Sequence, residues 1–184
     1  MAAAHGAIPQ DSVRDLRDRA LIAVLTYFFA RIGAALAMRV EDVQPQGAGW
    51  IVRLQEKGGK QHAMPAHHAL AEAMHAYLER AGIRPDRKGW LFRSGKGRNA
   101  DLLSERSLRQ EDAWQMIRRR ARAARIATPI GCHSRATGIT AYLLNGGTLE
   151  HAQAMAAHES PRTTKLYDRT AERLTQDEVE RIRF

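Results

Sequence analysis

Six residues, singled out by type and order from the many basic residues of the sequence, could together bind a phosphate group, transfer protons and attack phosphorus. In chain order they are Arg31, Lys57, His133, Arg135, His158 and Tyr167. Arginine offers a planar fork of donors that matches phosphate, lysine and histidine can transfer protons, and a tyrosine hydroxyl can act as a covalent nucleophile. Each residue alone has an ordinary explanation in a turn or in packing. Only their order and spacing together favour a functional site.

The charge balance favours a polyanionic partner. The 184 residues include 29 Lys and Arg against 20 Asp and Glu, which gives a net charge of +9 at pH 7. DNA, RNA and an anionic membrane surface all fit this charge, and so does a solvated basic surface without a partner. The candidate phosphate contacts lie in one turn and at one helix end: Lys60, Arg118, Arg119, Arg120, Arg122 and Arg125.

The composition argues against several classes of protein. Cys132 is the only cysteine, which excludes an internal disulfide and a multi-cysteine metal site. The longest apolar run, residues 20–30, is shorter than the roughly 18 residues of a membrane span, and we see no secretory signal. There is also no phosphate-cradling glycine-rich loop and no carboxylate cluster for magnesium. We therefore expect no metal and no cofactor, and the single cysteine fits a reducing cytoplasm.

The elements that would position these residues follow from the pattern of apolar and capping residues. Ser12 begins a long amphipathic helix that runs to Phe28, and Arg31 follows on the same face. A cation at the end of an apolar stripe needs an anion. It could be a salt-bridge partner, Glu41 or Asp42, or a bound phosphate, and position alone favours the salt bridge.

Alternation predicts a strand over Trp50–Glu56, a tight turn over Lys57–Lys60 and a returning strand over Gln61–Met64. A helix containing Leu70 follows and ends near Gly82. Residues 93–101 are predicted to be a flexible basic stretch.

The C-terminal half of the sequence predicts helices. One begins near Ser104 or Ser107, with Trp114, Ile117 and Ala121 facing inward. A second spans residues 133–144, and the next two are capped by Thr148 and by Ser160 followed by proline. A last helix occupies residues 175–183. These elements predict a mainly α-helical fold with one small antiparallel sheet, an α+β class, in a single domain over residues 11–184 after a tail of residues 1–10.

Five separated motifs, in order, resemble the catalytic domain of the tyrosine recombinases, the phage-integrase family. The resemblance covers roughly residues 11–183. The motifs are Arg31-Ile-Gly-Ala-Ala-Leu, Glu56-Lys57-Gly-Gly-Lys60 with Met64-Pro65 after it, His133-Ser-Arg135-Ala-Thr-Gly, Ala157-His158-Glu-Ser-Pro, and Thr163-Thr-Lys-Leu-Tyr167.

The resemblance implies a mechanism and a role for each residue. Tyr167 would attack a DNA phosphorus to give a 3′-phosphotyrosyl intermediate and a free 5′-hydroxyl, with Arg31 and Arg135 clamping the non-bridging oxygens. Lys57 would protonate the leaving 5′-oxygen. The two histidines would also act at the phosphate, His133 in proton transfer with Tyr167 and His158 as a hydrogen-bond partner. The phosphotyrosyl bond keeps the energy of the broken phosphodiester, so neither ATP nor a metal is needed.

Two features depart from the family pattern. His133 precedes Arg135 by two residues rather than the usual three, so Cys132 occupies the position expected for the histidine. Arg31 also comes too early to leave room for the usual N-terminal DNA-clamp domain. We expect that domain to be absent, in a fragment, a truncated product or a naturally minimal member.

The leading interpretation is a site-specific DNA recombinase or integrase catalytic domain that acts on double-stranded DNA as a homo-oligomer, a synaptic tetramer. It would have no membrane partner. A type IB topoisomerase-like activity would use the same chemistry. A non-catalytic DNA-binding recombinase relic is the alternative from a different class of protein.

Overall fold

The computed structural model describes residues 6–56, 59, 61–126 and 134–168, without the side chains of residues 134 and 135. The chain divides into two compact units, Met1–Gly138 and Ile139–Phe184. Each unit is described by itself.

The first unit is organised around the helix predicted near the N-terminus. Helix α1 spans Val13–Tyr27, and the hydroxyl oxygen of Ser12 caps it by accepting a hydrogen bond from the backbone N–H of Asp15 (3.2 Å). Its apolar residues between Ala20 and Leu25 are buried almost completely. A short helix, α2 (Ile32–Leu36), and a 3₁₀ turn (Val40–Asp42) follow.

A three-stranded antiparallel sheet follows the 3₁₀ turn. Its strands are β1 (Val43–Gln46), β2 (Gly49–Gln55) and β3 (Gln61–Pro65), with β2 in the centre. The register pairs Val52 with Met64, which confirms the predicted hairpin. Strand β1 was not predicted, because its sequence Val-Gln-Pro-Gln has neither alternating apolar residues nor a good strand former after the first position.

Helix α3 (His68–Ala81) packs beside α1 and closes the core of this unit. It ends, as predicted, at Gly82, whose left-handed backbone (φ +62°) costs a residue without a Cβ little. Tyr77 is fully buried and donates its hydroxyl proton to the carbonyl of Leu91 (2.8 Å). Burial raises the pKa of Tyr77 to about 12.

The segment after α3 differs from the prediction. Strand β4 (Arg93–Gly95), inside the stretch predicted to be flexible, pairs antiparallel with β5 (Leu103–Ser107), where the next helix was expected to begin. In the loop between them, Lys96 N–H donates to the carbonyl of Leu102 (2.9 Å). Helix α4 (Gln110–Ala123) therefore begins later than expected. Trp114 is half-buried rather than inward, because Ala113, Met116 and Ile117 take the buried face.

Helix α5 (Ser134–Leu144) contains the division between the units, after Gly138. In the second unit, Gly146 makes the turn out of this helix with φ +84°. Helix α6 (Leu149–Met155) is capped by Thr148 and α7 (Pro161–Lys165) by Ser160, as predicted. The helix predicted over residues 175–183 lies outside the described residues.

The predicted α+β fold class is confirmed, because helices dominate and the described sheets are small and antiparallel. None of the helices in the described ranges is long and apolar enough to cross a membrane.

Candidate active site and basic surface

His158 and Tyr167 lie together in the second unit. Their ring centroids are 6.0 Å apart, and the ring planes are 27° from parallel. The Nδ1 atom of His158 lies 2.9 Å from the hydroxyl oxygen of Thr164, which is completely buried. His158 and Tyr167, nine positions apart in the sequence, are therefore neighbours in the structure. The buried Thr164 hydroxyl holds the His158 imidazole beside the Tyr167 ring.

Backbone contacts fix both residues in this arrangement. The carbonyl of His158 accepts a hydrogen bond from Nε2 of Gln153 (3.1 Å), and its N–H donates to the carbonyl of Gln153 (3.1 Å). The hydroxyl of Thr140 donates to the carbonyl of Tyr167 (3.0 Å). Tyr167 N–H donates to the carbonyl of Thr164 (2.9 Å). Helices α5, α6 and α7 thus each contribute a polar contact that orients the pair.

Arg31 lies in the first unit, at the break between α1 and α2. Its backbone is extended (φ −72°, ψ 141°), so the side chain leaves the helix stripe instead of continuing it. The guanidinium is half-exposed and forms a salt bridge with the buried carboxylate of Glu56, at the end of β2.

The expected partners of Arg31 were wrong. Glu41 pairs with Lys88 (2.8 Å), and Asp42 accepts the backbone N–H of Arg39 (2.7 Å). Both carboxylates are engaged where the 3₁₀ turn meets the loop before β4. Local spacing could not predict Glu56 as the partner, because it lies 25 positions further along the chain.

Other predicted site residues lie outside the described part of the structure. These are Lys57, Lys60 and His133. Arg135 falls in the first turn of α5, where its backbone is helical. The shortened spacing between His133 and Arg135 stays a prediction without a structural test.

The five arginines near the end of α4 do not share one face. Arg120 points towards α1, where its guanidinium pairs with Asp15 and lies 2.8 Å from Asp18. Burial alone would lower the pKa of Arg120, but hydrogen bonds to these two carboxylates outweigh burial and raise it. The Arg120 side chain is committed to an ion network inside the unit, so its pairing gives no support to its predicted place on a DNA-binding face.

The other four arginines remain exposed. Arg118 and Arg122 lie four residues apart on one face of α4, and Arg125 follows just beyond the helix end, with a left-handed backbone (φ +52°); we call these three the arginine row. The Arg118 guanidinium lies 5.9 Å from the centroid of the Trp114 ring. Arg119 points elsewhere, towards a cleft beside the β4–β5 hairpin, and lies 3.5 Å from Asp18. Their geometry is compatible with phosphate contacts on two adjoining surfaces.

The cleft beside the hairpin adds cations that the sequence analysis missed. It encloses about 810 Å³ between the hairpin, α1 and α4. Its basic lining comprises Arg14, Arg17, Lys96, Arg106, Arg109 and Arg119, whereas Asp112 is its one lining carboxylate among the described residues. Arg109 pairs with Asp112 (3.0 Å), and Arg14 donates to the carbonyl of Gly97 (2.6 Å). The hairpin brings Lys96 and Arg106 beside the arginines of α1 and α4. Predicting the hairpin from the sequence would have been needed to find this cleft.

Among the residues that the structure describes, no group of three or more His, Cys, Asp or Glu side chains could hold a metal ion.

Comparison with known sequences identifies the family. The Phage integrase family matches residues 3–182, almost the whole chain, and the chain belongs to this family, that of the tyrosine recombinases. Tyrosine recombinase XerD of Mycobacterium tuberculosis is 33% identical over 167 residues, which cover 89% of this chain and 51% of XerD. Tyrosine recombinase XerC of Mycobacterium bovis is 28% identical over 175 residues, 93% of this chain and 55% of XerC. The chain spans about half the length of the curated relatives it matches.

Solved structures share the fold. The crystal structure of XerA recombinase matches with a TM-score of 0.71 and 21% identity, over 98% of this chain and 60% of that one. XerH site-specific recombinase, in a pre-cleavage complex with its difH substrate, matches with a TM-score of 0.73 and 17% identity, over 98% of this chain and 50% of that one. At 21% and 17% sequence identity, these similarities establish a shared fold and nothing further.

Proposed function

We propose that this chain is the catalytic part of a site-specific DNA recombinase that cleaves and rejoins strands through a 3′-phosphotyrosyl intermediate. The observation that carries the proposal is the stacking of His158 on Tyr167, with the imidazole held by buried Thr164. The pair brings the phenol of Tyr167 next to an imidazole whose orientation is fixed by a hydrogen bond to a buried hydroxyl, in a chain of this family.

Tyr167 is the proposed nucleophile. A phenol ordinarily has a pKa near 10, so only about 0.1% is ionised at neutral pH. Cations that meet the phosphate and the phenolate must therefore supply the activation. Arg31 and Arg135 would bind the non-bridging oxygens, where negative charge increases in the transition state.

Tyr77 offers an internal contrast. It is sealed in the core with its hydroxyl bonded to the Leu91 carbonyl, and its pKa is raised to about 12. Tyr167 lies beside a histidine in a half-buried position instead. The two environments support Tyr167 as the reactive tyrosine.

The proton transfers balance within the chain. The new bond joins the Tyr167 oxygen to phosphorus, and the broken bond releases a 5′-oxygen, which takes a proton from Lys57. His133 would accept the phenol proton, and His158 would hydrogen-bond the phosphate. The phosphodiester energy is kept in the phosphotyrosyl bond, and attack by a 5′-hydroxyl reverses the steps to rejoin the strand.

The basic surfaces would hold the duplex. The cleft beside the hairpin and the row of Arg118, Arg122 and Arg125 offer guanidinium groups to DNA phosphates, and Lys60 would add a further contact. Strand exchange joins two sites, so the active assembly would be a homo-oligomer, a synaptic tetramer, on DNA. We place this activity in the bacterial cytoplasm at the nucleoid.

The test is covalent capture on singly nicked duplex DNA. A pool of labelled duplexes with a randomised central segment would be incubated with the protein and resolved under denaturing conditions. The nick lets a short 5′-hydroxyl strand diffuse away, so the intermediate accumulates. We expect an adduct with the parent chain and with Tyr142→Phe, and none with Tyr167→Phe.

An insertion of one residue between Ser134 and Arg135 tests the shortened motif. An adduct from the insertion variant alone would show that the spacing misplaces His133. DNA binding without an adduct from either protein would contradict the proposed cleavage and favour the DNA-binding relic.

A further inference from the structure

Glu56 is a buried carboxylate that touches a proposed catalytic arginine. Its side chain is 4% exposed, whereas the side chain of its partner Arg31 is 50% exposed. We propose that Glu56 is a positioning residue that orients the Arg31 guanidinium towards the DNA phosphate. This inference rests on the proposed function and adds a residue for which the sequence analysis gave no role.

The carboxylate has a rigid base. Glu56 directly follows β2, whose Leu54 side chain is buried at 2% exposure and whose Gln55 pairs with Gln61 across the hairpin. Burial of an ion is costly unless a partner compensates it, and the Arg31 guanidinium is such a partner for this carboxylate. Glu56 is therefore the fixed member of the pair.

The orientation of the Arg31 side chain is not set by its own backbone element. It lies between two helices, after Phe29, whose backbone is left-handed (φ +51°), and its own side chain has no helix capping contact. A free arginine side chain samples many rotamers, and each must be lost before it can hold a phosphate. A charged hydrogen bond from a rigid strand end removes that freedom before DNA arrives.

The geometry leaves room for a second anion. Glu56 accepts from Nη1 of Arg31, and a guanidinium has five N–H donors in one plane. Since half of the Arg31 side chain is exposed, the other donors can meet a phosphate while the Glu56 contact persists. The guanidinium would then bridge a protein carboxylate and a DNA phosphate. Glu56 also directly precedes Lys57, another proposed site residue, in the sequence.

The experiment separates positioning from simple stabilisation. Single-turnover adduct formation on nicked duplex DNA would be measured at saturating DNA for the parent and for Glu56→Gln, together with the DNA dissociation constant. We expect Glu56→Gln to slow adduct formation about 30-fold, because small misplacement of a clamp residue costs up to about a hundredfold. The dissociation constant should change less than about threefold, because one contact among many is affected.

Asp86→Asn is the matched control. Asp86 forms an ion pair with Arg93 (2.6 Å) in the same unit, with the burial reversed: here the arginine is 9% exposed and the carboxylate 54%. It should lose comparable stability and leave the adduct rate within about twofold. Glu56→Asp, which keeps the charge, should recover part of the rate. A Glu56→Gln rate within about threefold of the parent at saturating DNA would overturn the proposal.

A second readout does not require cleavage. Phenylglyoxal modifies accessible arginines, and peptide mass spectrometry reports the extent at Arg31 with and without unnicked duplex DNA. DNA should protect Arg31 in the parent and protect it much less in Glu56→Gln. Equal protection in both proteins, or none in the parent, would overturn the proposal. If neither the parent nor the insertion variant forms an adduct, the cleavage proposal fails, and this readout still decides the positioning role.

Discussion

The imidazole of His158 lies between the ring of Tyr167, 6.0 Å away between centroids, and the hydroxyl of Thr164, 2.9 Å from Nδ1. Thr164 is fully buried on the one-turn helix α7, whereas Tyr167 is half-buried just after that helix. The same short helix therefore carries the group that orients His158 and leads directly into the proposed nucleophile. A change in α7 would move both together.

The Thr164 hydroxyl gives the first prediction. Thr164→Val keeps the shape of the side chain and removes the hydrogen bond to His158. We expect the free energy of unfolding to fall by about 1 kcal/mol and adduct formation on nicked DNA to slow about tenfold. Urea titration and single-turnover capture would measure the two effects.

Thr163→Val is the control for this prediction. Thr163 is the exposed neighbour on the same helix, so its substitution should leave both quantities nearly unchanged. Equal losses in the two variants would show that valine disturbs the helix rather than the His158 contact.

The buried ion network gives the second prediction. Asp18 is completely buried and pairs with Arg17 (2.7 Å) as well as Arg120 (2.8 Å). Asp18→Ala leaves a buried guanidinium uncompensated, so we expect a loss of about 3–5 kcal/mol in the free energy of unfolding. Arg80→Ala breaks the exposed pair with Asp101 (3.4 Å) and should cost at most about 1 kcal/mol. Similar costs from the two variants would mean that the buried network does not stabilise the unit.

His67 gives a pH-dependent prediction. Its Nδ1 accepts the N–H of Ala69 at the start of α3, and its ring stacks on Tyr27. Burial, and to a smaller extent His68, hold the pKa of His67 below its ordinary 6.5. The unfolded chain therefore binds more protons below pH 6.5, and the free energy of unfolding should fall as the pH drops through that value and level off below the folded pKa.

His67→Asn keeps a side-chain oxygen that can cap α3 and removes the titration. Urea titrations at pH 7.5 and 5.5 should show a smaller loss of stability on acidification than in the parent. His151→Asn, in an exposed position of the second unit, should behave like the parent. An unchanged pH response in His67→Asn would contradict the assignment.

The exposed arginine row gives a prediction about DNA affinity. Replacing Arg118 and Arg122 with glutamine should lower the magnitude of the slope of log affinity against log salt by about 2, because each phosphate contact contributes about 0.9. Fluorescence anisotropy at several salt concentrations would measure it. Arg80→Gln with Arg84→Gln removes an exposed and a half-buried arginine that already pair with carboxylates, and should leave the slope unchanged. A slope that does not respond to the first pair would remove the row from the DNA-binding surface.

Local signals in the sequence predict much of the fold. Ser12, Thr148 and Ser160 cap the helices they were expected to cap, since an N-cap contact spans only two or three residues. Alternation likewise predicts β2 and β3. The β4–β5 hairpin was missed because its residues are polar, basic and rich in turn formers, and they become ordered by pairing with each other.

Long-range partners are what the sequence could not supply. The Arg31–Glu56 and Arg120–Asp18 pairs join residues 25 and 102 positions apart. Charge and spacing predicted that Arg31 needs an anion and that several candidate phosphate contacts lie near the end of α4. Which carboxylate meets each arginine depends on how strands and helices pack, and no local pattern contains that information.

The most direct test of the central proposal is to identify the atom that carries the DNA. Adduct formed on nicked duplex would be digested with protease and nuclease and sequenced by mass spectrometry. We predict a single modified peptide in which the Tyr167 oxygen bears a 3′-linked nucleotide. Attachment at another residue, such as Tyr142, or through a 5′-phosphate, would contradict the proposed mechanism.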